Sequence, residues 1–377
     1  FQLCLIYSIS MCHLKQFINF RKLLALTKVQ PKYVLYSTKC REKEVIISKS
    51  RNIFENLALE DWLYKHADLN NRNYLFMWRN TPAVVVGRHQ NPWLECDVTS
   101  VLKQKVDLAR RNSGGGTVFH DEGNLNCCFL TSRKLYNRKS NLELVVDALT
   151  SYWDIDLSIN KREDIVLNGL YKISGTAAKL GGERSYHHFT LLINVNKNKL
   201  HNLLQSPLVR SVPSKATESV PSHIMNLQDV NEDINYENLT DVISNKFLQN
   251  DLVKRKEFVN PTEDSYPGYN KILNELKTFK WIYAKTPNFE ISRAFQIEID
   301  SKVIHTEIVI EIQKGLIYNI EFSLKLNEMD LTHIVNRFKD VPYDTTELLP
   351  VLDVLENENN DAIYKWFLRC IRQTLNI

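Results

Sequence analysis

Several features that define other protein classes are missing from this sequence. It has no run of about 18 apolar residues, so no membrane-spanning helix is expected. The seven cysteines are odd in number and no two are spaced as Cys-x-x-Cys, which argues against a structural zinc site and a disulfide framework. No basic patch is interleaved with aromatic residues, and nucleic acid is therefore not an expected partner.

Acidic residues are missing from the first 40 positions, which hold six lysines or arginines, and the first acid is Glu42. Subtracting those six charges from the net charge of +4 leaves −2 for the rest of the chain. A basic segment with amphipathic potential around Leu14–Leu26 is typical of a mitochondrial transit peptide, here beginning at Met11. The alternative is a disordered upstream extension. We predict such a segment over 1–45 and a location in the mitochondrial matrix.

The remainder has the composition of a protein with hydrophobic cores. With 377 residues and 44% apolar content, the chain is long enough for two domains of about 150 residues each. We predict a larger α/β domain over 46–252 and a smaller α+β domain over 253–377. In the second domain, alternating apolar residues between 295 and 322 predict an antiparallel sheet, with helices from Met329 and Asp361.

The first domain opens with patterns for a helix and several strands. Asn52–His66 predicts a helix whose apolar residues share one face. Tyr74–Arg79 and Ala83–Gly87 predict strands, and Asn80–Pro82 between them supplies turn residues typical of a hairpin. A later helix is predicted over Asn141–Leu157, packed on the sheet.

The stretch RRNSGGGTVFHDEGN, from Arg110 to Asn124, carries the strongest functional signal. Glycine tolerates positive φ and close backbone approach, so Gly114–Gly116 predicts a turn at which a ligand touches the main chain. Exposed N–H groups in such a turn bind anions, and Arg110 and Arg111 add guanidinium groups suited to phosphate or carboxylate. A flexible β-hairpin turn is the alternative for the three glycines alone.

A second polar cluster begins at Tyr171, where the sequence reads YKISGTAAKLGG. A short strand, a bend at Gly175 and the apolar strand Phe189–Val195 would present Lys172 and Lys179 near a sheet edge. Lysines at strand ends usually protect the edge as solvated charges, and that interpretation stays open for both. The SGTA segment, with its hydroxyl groups and small residues, favours a compact polar ligand.

The histidines and the paired cysteines are weaker candidates. His120, His187 and His188 lack a third ligand at helical spacing, so no permanent metal site is predicted. Cys127 and Cys128 lie in an apolar strand without an obvious histidine partner. That setting favours buried, unreactive thiols over a thioester-forming nucleophile.

Four segments in order resemble the successive motifs of the lipoate-protein ligase and lipoyltransferase family. The similarity runs from about Asn52 to the C-terminus and is greatest to the animal mitochondrial members, which share KISGTAAK and a segment like SKATES, Ser214–Ser219. Four motifs in order are far more specific than any one of them. The segments are GRHQNPWLEC from Gly87, RRNSGGGTVFHDEGN from Arg110, KISGTAAK from Lys172 and HHFTLL from His187.

The resemblance implies a fold shared with biotin protein ligases, with mixed sheets flanked by helices and a C-terminal accessory domain that gates or merely stabilises the site. It implies an enzyme that holds lipoyl-AMP and passes the lipoyl group to a lysine of a carrier domain. The expected acceptors are lipoyl domains of 2-oxo-acid dehydrogenase acyltransferase subunits and the glycine-cleavage H protein. No tightly bound cofactor is expected, Mg²⁺ is needed only if the enzyme itself activates lipoate, and the expected state is a monomer.

The resemblance also implies roles for individual residues. The family's invariant lysine falls on Lys172, the expected catalytic residue, and Asp164 matches an acidic position near the phosphate and Mg²⁺ of the ligases. Val86, Gly87 and His89 are expected in the lipoyl pocket. The residues expected to bind lipoyl-AMP, besides Lys172, are Arg111, Ser113, Gly114, Gly115, Gly116, His120, Asn124, Gly175, Thr176 and Ala177.

Because an acyl-adenylate is already activated, such an enzyme needs no nucleophile of its own. The ammonium of Lys172 would stabilise charge developing on the carbonyl and phosphate oxygens, as an oxyanion hole does. It would also lower the pKa of the incoming lysine, while Asp121 and water both remain open as the proton acceptor. Three functions stay open: transfer from lipoyl-AMP or a lipoylated carrier, a complete ATP-dependent ligase, and noncatalytic binding of lipoyl domains.

Overall fold

The computed structural model describes residues 41–208, 216–220, 222–249, 251, 255–299, 302–323 and 331–377. Residues 1–40 of the predicted transit peptide lie outside this part of the chain, as do Ser214 and Lys215 of the SKATES segment. The first described strand begins at Glu42, inside the segment predicted as transit peptide. No helix among the described residues is long and apolar enough to cross a membrane.

The described residues form the following elements in chain order: β1 (Glu42–Ser48), α1 (Ile53–His66), β2 (Arg72–Trp78), β3 (Ala83–Val86), α2 (Pro92–Glu95), α3 (Val98–Lys103), β4 (Asp107–Arg110), β5 (Val118–His120), β6 (Asn124–Ser132), α4 (Arg138–Thr150), β7 (Leu157–Ile159), β8 (Ile165–Leu167), β9 (Tyr171–Lys172), β10 (Thr176–Leu180), β11 (Arg184–Leu192), α5 (Lys197–Leu203), α6 (Tyr236–Phe247), β12 (Arg255–Val259), α7 (Tyr269–Leu276), α8 (Phe279–Ile282), β13 (Phe289–Ile299), β14 (Lys302–Gln313), β15 (Leu316–Phe322), α9 (Thr332–Phe338), α10 (Thr345–Glu358) and α11 (Ala362–Leu375).

The central sheet has six strands in the order β10-β11-β6-β2-β1-β12. Strand β1 runs parallel to β2 and β12, and the other neighbours pair antiparallel. The α1 helix and the β4-β3-β5 sheet pack on one face, and α4 and α6 pack on the other. Because both faces are covered, all side chains from Tyr74 to Trp78 are buried instead of alternating between inside and outside.

The helix predicted over Asn52–His66 is confirmed as α1. Asn52 caps it by accepting hydrogen bonds from the backbone N–H groups of Phe54 and Glu55, which satisfies two of the free donors at the helix start. The helix predicted over Asn141–Leu157 is observed as α4, but it starts earlier because Asn137 caps it, and it ends before Leu157.

The small β4-β3-β5 sheet overturns two predictions. Strands β2 and β3 do not form a hairpin, since they belong to different sheets. Asn80 in their connection is fully buried, and its amide bonds to Asn56 and His120 while the chain crosses from one sheet to the other. The hairpin alternative for the glycine run is also wrong, because β3 lies between β4 and β5.

The C-terminal region contains the predicted antiparallel sheet, formed by β13, β14 and β15 and packed against helices α9 to α11. Its apolar core is continuous with that of the central sheet. Trp93, on α2, packs against the rings of Tyr283, Phe289 and Tyr343. Strand β12 lies just after 253 and forms an edge of the central sheet, and the domain division at that position stays a prediction.

Candidate functional site

The glycine run joins β4 to β5 as a turn in direct backbone contact with the end of β3. Gly115 has a φ of +85°, in the left-handed region that favours glycine. A Cβ atom placed on Gly87 would lie 2.1 Å from the carbonyl oxygen of Gly115, so no side chain fits there. The GRHQNPW and SGGG motifs are therefore in direct backbone contact, through Gly87 and Gly115.

Arg111 shapes this turn from inside the protein. Its guanidinium donates to Gly114 O at 2.6 Å, Gly116 O at 2.7 Å, Val85 O at 3.0 Å and the Ser113 hydroxyl at 3.0 Å. Four of its five N–H groups are therefore used by the protein. Burial lowers the pKa of Arg111 to about 10, which leaves it charged at neutral pH and gives the turn a positive potential.

A buried chain of hydrogen bonds supports Arg111 from α1. His188 Nδ1 lies 2.6 Å from Glu60 Oε1, and His188 Nε2 lies 2.7 Å from the Ser113 hydroxyl, which in turn accepts from Arg111. Glu60, His188 and Cys128 also bring possible metal-ligating atoms within 4.8 Å of one another. Because both ring nitrogens of His188 are already hydrogen-bonded, the geometry favours a supporting network for the turn over a metal site.

Arg110 points away from the turn and joins it to the C-terminal region. It is 1% exposed and donates to the carbonyl oxygens of Gly87, Gln90 and Ile282 and to the hydroxyl of Thr286. Burial lowers its pKa to about 10. Arg110 was expected to add charge to the ligand site. Its hydrogen bonds instead connect the segment after β3 to Ile282 and Thr286 in the C-terminal region.

Lys172 ends β9, at the edge of the β7-β8-β9 sheet. Its Nζ atom lies 2.9 Å from Oδ1 of Asp164, a buried carboxylate at the start of β8. The Asp164 backbone N–H donates to the side chain of Asn160, which fixes the loop before β8. Beside this pair, Arg138 bonds to Glu163 and to the Thr176 hydroxyl. The site therefore carries several cations and a buried carboxylate next to Lys172.

Two adjoining cavities meet at Lys172. The inner chamber, of about 290 Å³, lies between the glycine turn, α1 and the central sheet, with buried walls at Leu57, Trp78 and Val85. The outer chamber, of about 420 Å³, is mainly apolar and includes Ile224, but exposed polar residues such as Gln205 form part of its lining. The residues that line both chambers are Thr117, Val118, Lys172, Gly175, Thr190, Ser219 and Val220.

The structure brings most of the predicted site residues to the inner chamber and leaves others behind its walls. Val86, Gly87 and Ser113 are buried supports, and His89 is exposed. Asn124 is fully buried outside the lining, whereas Asn126, two residues along β6, does line the chamber. The predicted residues that line it are Arg111, Gly115, Gly116, His120, Asp164, Lys172, Gly175, Thr176 and Ala177.

Several lining residues were not identified from the sequence. Leu57 looked like one more apolar residue of an amphipathic helix, and Trp78 like one more core residue of a strand. Phe189 likewise opens an apolar strand. Arg138 was hidden in a short basic run, and only its contact with Thr176 places it at the chamber. Apolar lining residues have the same sequence pattern as core residues, so periodicity does not separate them.

Residues 216–220, which we call the strap, close one side of both chambers. The Ser219 hydroxyl donates to Glu95 and accepts from the Thr117 backbone N–H at 2.8 Å and from Gln90 Nε2 at 3.2 Å. Gln90 Nε2 also donates to the Thr217 carbonyl at 3.2 Å. Burial raises the pKa of Glu95. The strap is thus tied to the GRHQNPW segment and to the residue after the glycine turn.

Residues 52–248 match the family described as the lipoyl protein ligase A/B catalytic domain. The match covers all four motifs and both chambers. The chain therefore belongs to the lipoate-protein ligase family, and the predicted resemblance and fold class are confirmed.

Individual relatives extend the similarity beyond that domain. Human mitochondrial lipoyl amidotransferase LIPT1 is 36% identical over 336 residues, covering 86% of this chain and 90% of the human protein. Lipoate-protein ligase A of Psychrobacter cryohalolentis is 33% identical over 337 residues, covering 86% of this chain and 97% of that protein. The crystal structure of P. falciparum LipL1 in complex with lipoate aligns with a TM-score of 0.57 at 27% identity, covering 87% of this chain and 99% of that one.

Proposed function

We propose that this enzyme transfers a lipoyl group from an activated donor, lipoyl-AMP or a lipoylated carrier, to the ε-amine of a specific lysine. The acceptors are lipoyl domains of 2-oxo-acid dehydrogenase acyltransferase subunits and the glycine-cleavage H protein. The observation that carries this function is the position of Lys172 where two chambers meet. The human relative is named as a mitochondrial protein, and we propose the mitochondrial matrix as the location of this chain.

The two chambers suit the two halves of an acyl-nucleotide. The smaller lipoyl part fits the inner chamber, where the buried apolar side chains of Leu57, Trp78 and Val85 form part of the wall, and the larger nucleotide fits the larger outer chamber. The bond between them would then lie at the shared residues, beside Lys172 and Gly175. Burial of the apolar acyl chain favours binding by the hydrophobic effect.

The charges at the junction suit the transfer step. Attack by the incoming amine places negative charge on the carbonyl oxygen and on the departing phosphate, and the Lys172 ammonium stabilises both. Asp164 orients that ammonium through an ion pair with 2.9 Å between Nζ and Oδ1. The positive potential of the buried Arg111 acts on the same region through the glycine turn, whose carbonyl oxygens it holds inward.

A complete ATP-dependent ligase is the second candidate, favoured by the similarity to bacterial lipoate-protein ligase A along most of both chains. Incubation with lipoate, ATP and Mg²⁺ and assay of pyrophosphate separates the two. We expect little pyrophosphate from lipoate and ATP, but efficient lipoylation of an apo lipoyl domain from lipoyl-AMP, followed by intact mass. Robust pyrophosphate release would show that the enzyme activates lipoate itself, and the complete ligase would then be the correct function.

The direct test of the site is a single-turnover assay with lipoyl-AMP and an apo lipoyl domain. Lys172→Ala is expected to lose most transfer, and Lys271→Ala, which removes an exposed lysine on α7, is the matched control. Equal transfer by the two variants would refute catalysis at the chamber junction.

A further inference from the structure

His120 is held in one orientation by two asparagines that do not line either chamber. Asn80 Nδ2 lies 2.9 Å from His120 Nδ1, and Asn56 Nδ2 lies 2.9 Å from Asn80 Oδ1. All three side chains are buried, with His120 4% exposed and both asparagines fully buried. The row runs from α1 through the β2–β3 connection to the end of β5.

Backbone carbonyls fix the direction of every hydrogen bond in this row. Asn56 Nδ2 faces the carbonyl oxygen of Ser50 at 3.0 Å, and since a carbonyl only accepts, the Asn56 nitrogen must be on that side. The same NH₂ group donates to Asn80 Oδ1, which leaves Asn80 Nδ2 as the donor toward His120 Nδ1. His120 Nδ1 therefore accepts, and the ring proton is on Nε2.

His120 also lines the inner chamber, and His120 Nε2 is buried with no hydrogen-bond partner among the described residues. Burial and the nearby Arg111 lower the pKa of His120 to about 3, which keeps the ring neutral. Trp78 also lines the chamber, and its indole N–H is likewise buried and unpaired in the described part of the chain.

Neither His120 nor Trp78 lines the outer chamber. If the lipoyl part lies in the inner chamber and the nucleotide in the outer one, both residues lie away from the bond that reacts. We propose that Asn56 and Asn80 hold His120 as a fixed Nε2–H donor. With the Trp78 indole N–H, this donor favours an acyl tail that carries acceptor atoms, such as dithiolane sulfurs, over an all-carbon chain. A buried N–H facing only carbon is left unpaired, whereas sulfur accepts a weak hydrogen bond. The substrate preference rests on the proposed function; the state of the His120 ring does not.

The ring state is tested on the wild-type protein by ¹⁵N-histidine NMR, with His120 assigned from a His120→Gln sample. We expect a protonated Nε2 and an unprotonated Nδ1. The ring should gain no second proton down to about pH 5, which is below the ordinary histidine pKa of about 6.5. A proton on Nδ1, or formation of imidazolium above about pH 5, would overturn the assignment.

Asn56→Asp tests the relay from a position that touches neither chamber. A carboxylate only accepts, so Asn80 turns its NH₂ toward position 56, offers oxygen to His120 Nδ1 and moves the ring proton away from Nε2. The ratio of kcat/KM for lipoyl-AMP to kcat/KM for octanoyl-AMP is expected to fall about tenfold, which corresponds to the loss of one weak hydrogen bond. The fall should come from a lower kcat/KM for lipoyl-AMP, with the value for octanoyl-AMP unchanged. The exposed Asn70→Asp control should leave the ratio unchanged.

An unchanged ratio in Asn56→Asp protein whose NMR shows the reversed ring would refute the proposed preference. If Asn56→Asp does not fold, His120→Phe removes the donor while keeping a ring, and the same fall in the ratio is expected; an unchanged ratio there refutes the preference equally. If the wild-type protein transfers neither acyl group, the proposed function fails, and the wild-type spectrum still decides the ring state.

Discussion

Lys172 and Asp164 form an ion pair with 2.9 Å between Nζ and Oδ1, and the carboxylate is the more deeply buried partner. A buried carboxylate needs a partner, so Asp164 holds the ammonium at the junction of the two chambers instead of letting it extend into solvent. The pair therefore defines the position of the group proposed to act on the acyl-nucleotide bond.

Removal of either partner should affect transfer to different degrees. Lys172→Ala is expected to lower the single-turnover rate by about 10²- to 10³-fold, the effect of losing one oxyanion donor. Asp164→Asn keeps the ammonium but loosens its position, and a smaller loss of about tenfold is expected. Rapid-quench assay with lipoyl-AMP measures both. A larger loss in Asp164→Asn than in Lys172→Ala would contradict this order.

Three glycine substitutions should separate backbone contact from general flexibility. Gly87→Ala places a Cβ 2.1 Å from the Gly115 carbonyl, so the backbone must shift, at about 1–3 kcal/mol of unfolding free energy. Gly115→Ala is strained by its φ of +85°. Gly114→Ala meets no heavy atom within 4 Å and is the matched control, with a change under about 0.5 kcal/mol. Denaturant unfolding of the three variants checks the order, and a Gly114→Ala variant as unstable as Gly87→Ala would contradict it.

The strap should contribute to substrate binding as well as to folding. Ser219→Ala removes the hydroxyl that joins Glu95, Thr117 and Gln90, and each lost hydrogen bond is worth about 0.5–1.5 kcal/mol. We expect KM for lipoyl-AMP to rise about tenfold while kcat changes little, and the melting temperature to fall by a few degrees. Ser140→Ala, exposed on α4, is the control. An unchanged KM would show that the strap does not cover bound substrate.

Stability should fall as the pH drops through the histidine range. Burial lowers the pKa of His120 and of His187 from 6.5 to about 3, so between these values the unfolded chain binds protons that the folded chain does not. Stability therefore rises with pH across this window, by up to about 1.4 kcal/mol per pH unit for each histidine. His187 lines neither chamber, and His187→Phe should flatten the slope without affecting transfer. Thermal unfolding from pH 7 downward measures this, and an unchanged slope in the variant would refute it.

The parts of this structure that were predictable are those in which local chemistry decides. Asn52 followed by an amphipathic pattern specifies α1, and the glycine run with Lys172 marks the site because few other patterns place such residues together. Arg111 and Asn124 show the limit: the sequence reveals a charge and an amide near the turn, but not that Arg111 binds backbone or that Asn126 faces the chamber. Those outcomes depend on sheet pairing, which is set by contacts far apart in the chain.

Arg110 constrains how a carrier domain gains access to the chambers. Its buried cation is surrounded by oxygen atoms from the β3 loop and from Ile282 and Thr286, and moving these two parts away from each other would leave it without half of those partners. A hinge that swings the C-terminal region away as a rigid body is therefore energetically costly at this point. Access to the chambers that leaves the C-terminal region in place keeps all of these hydrogen bonds.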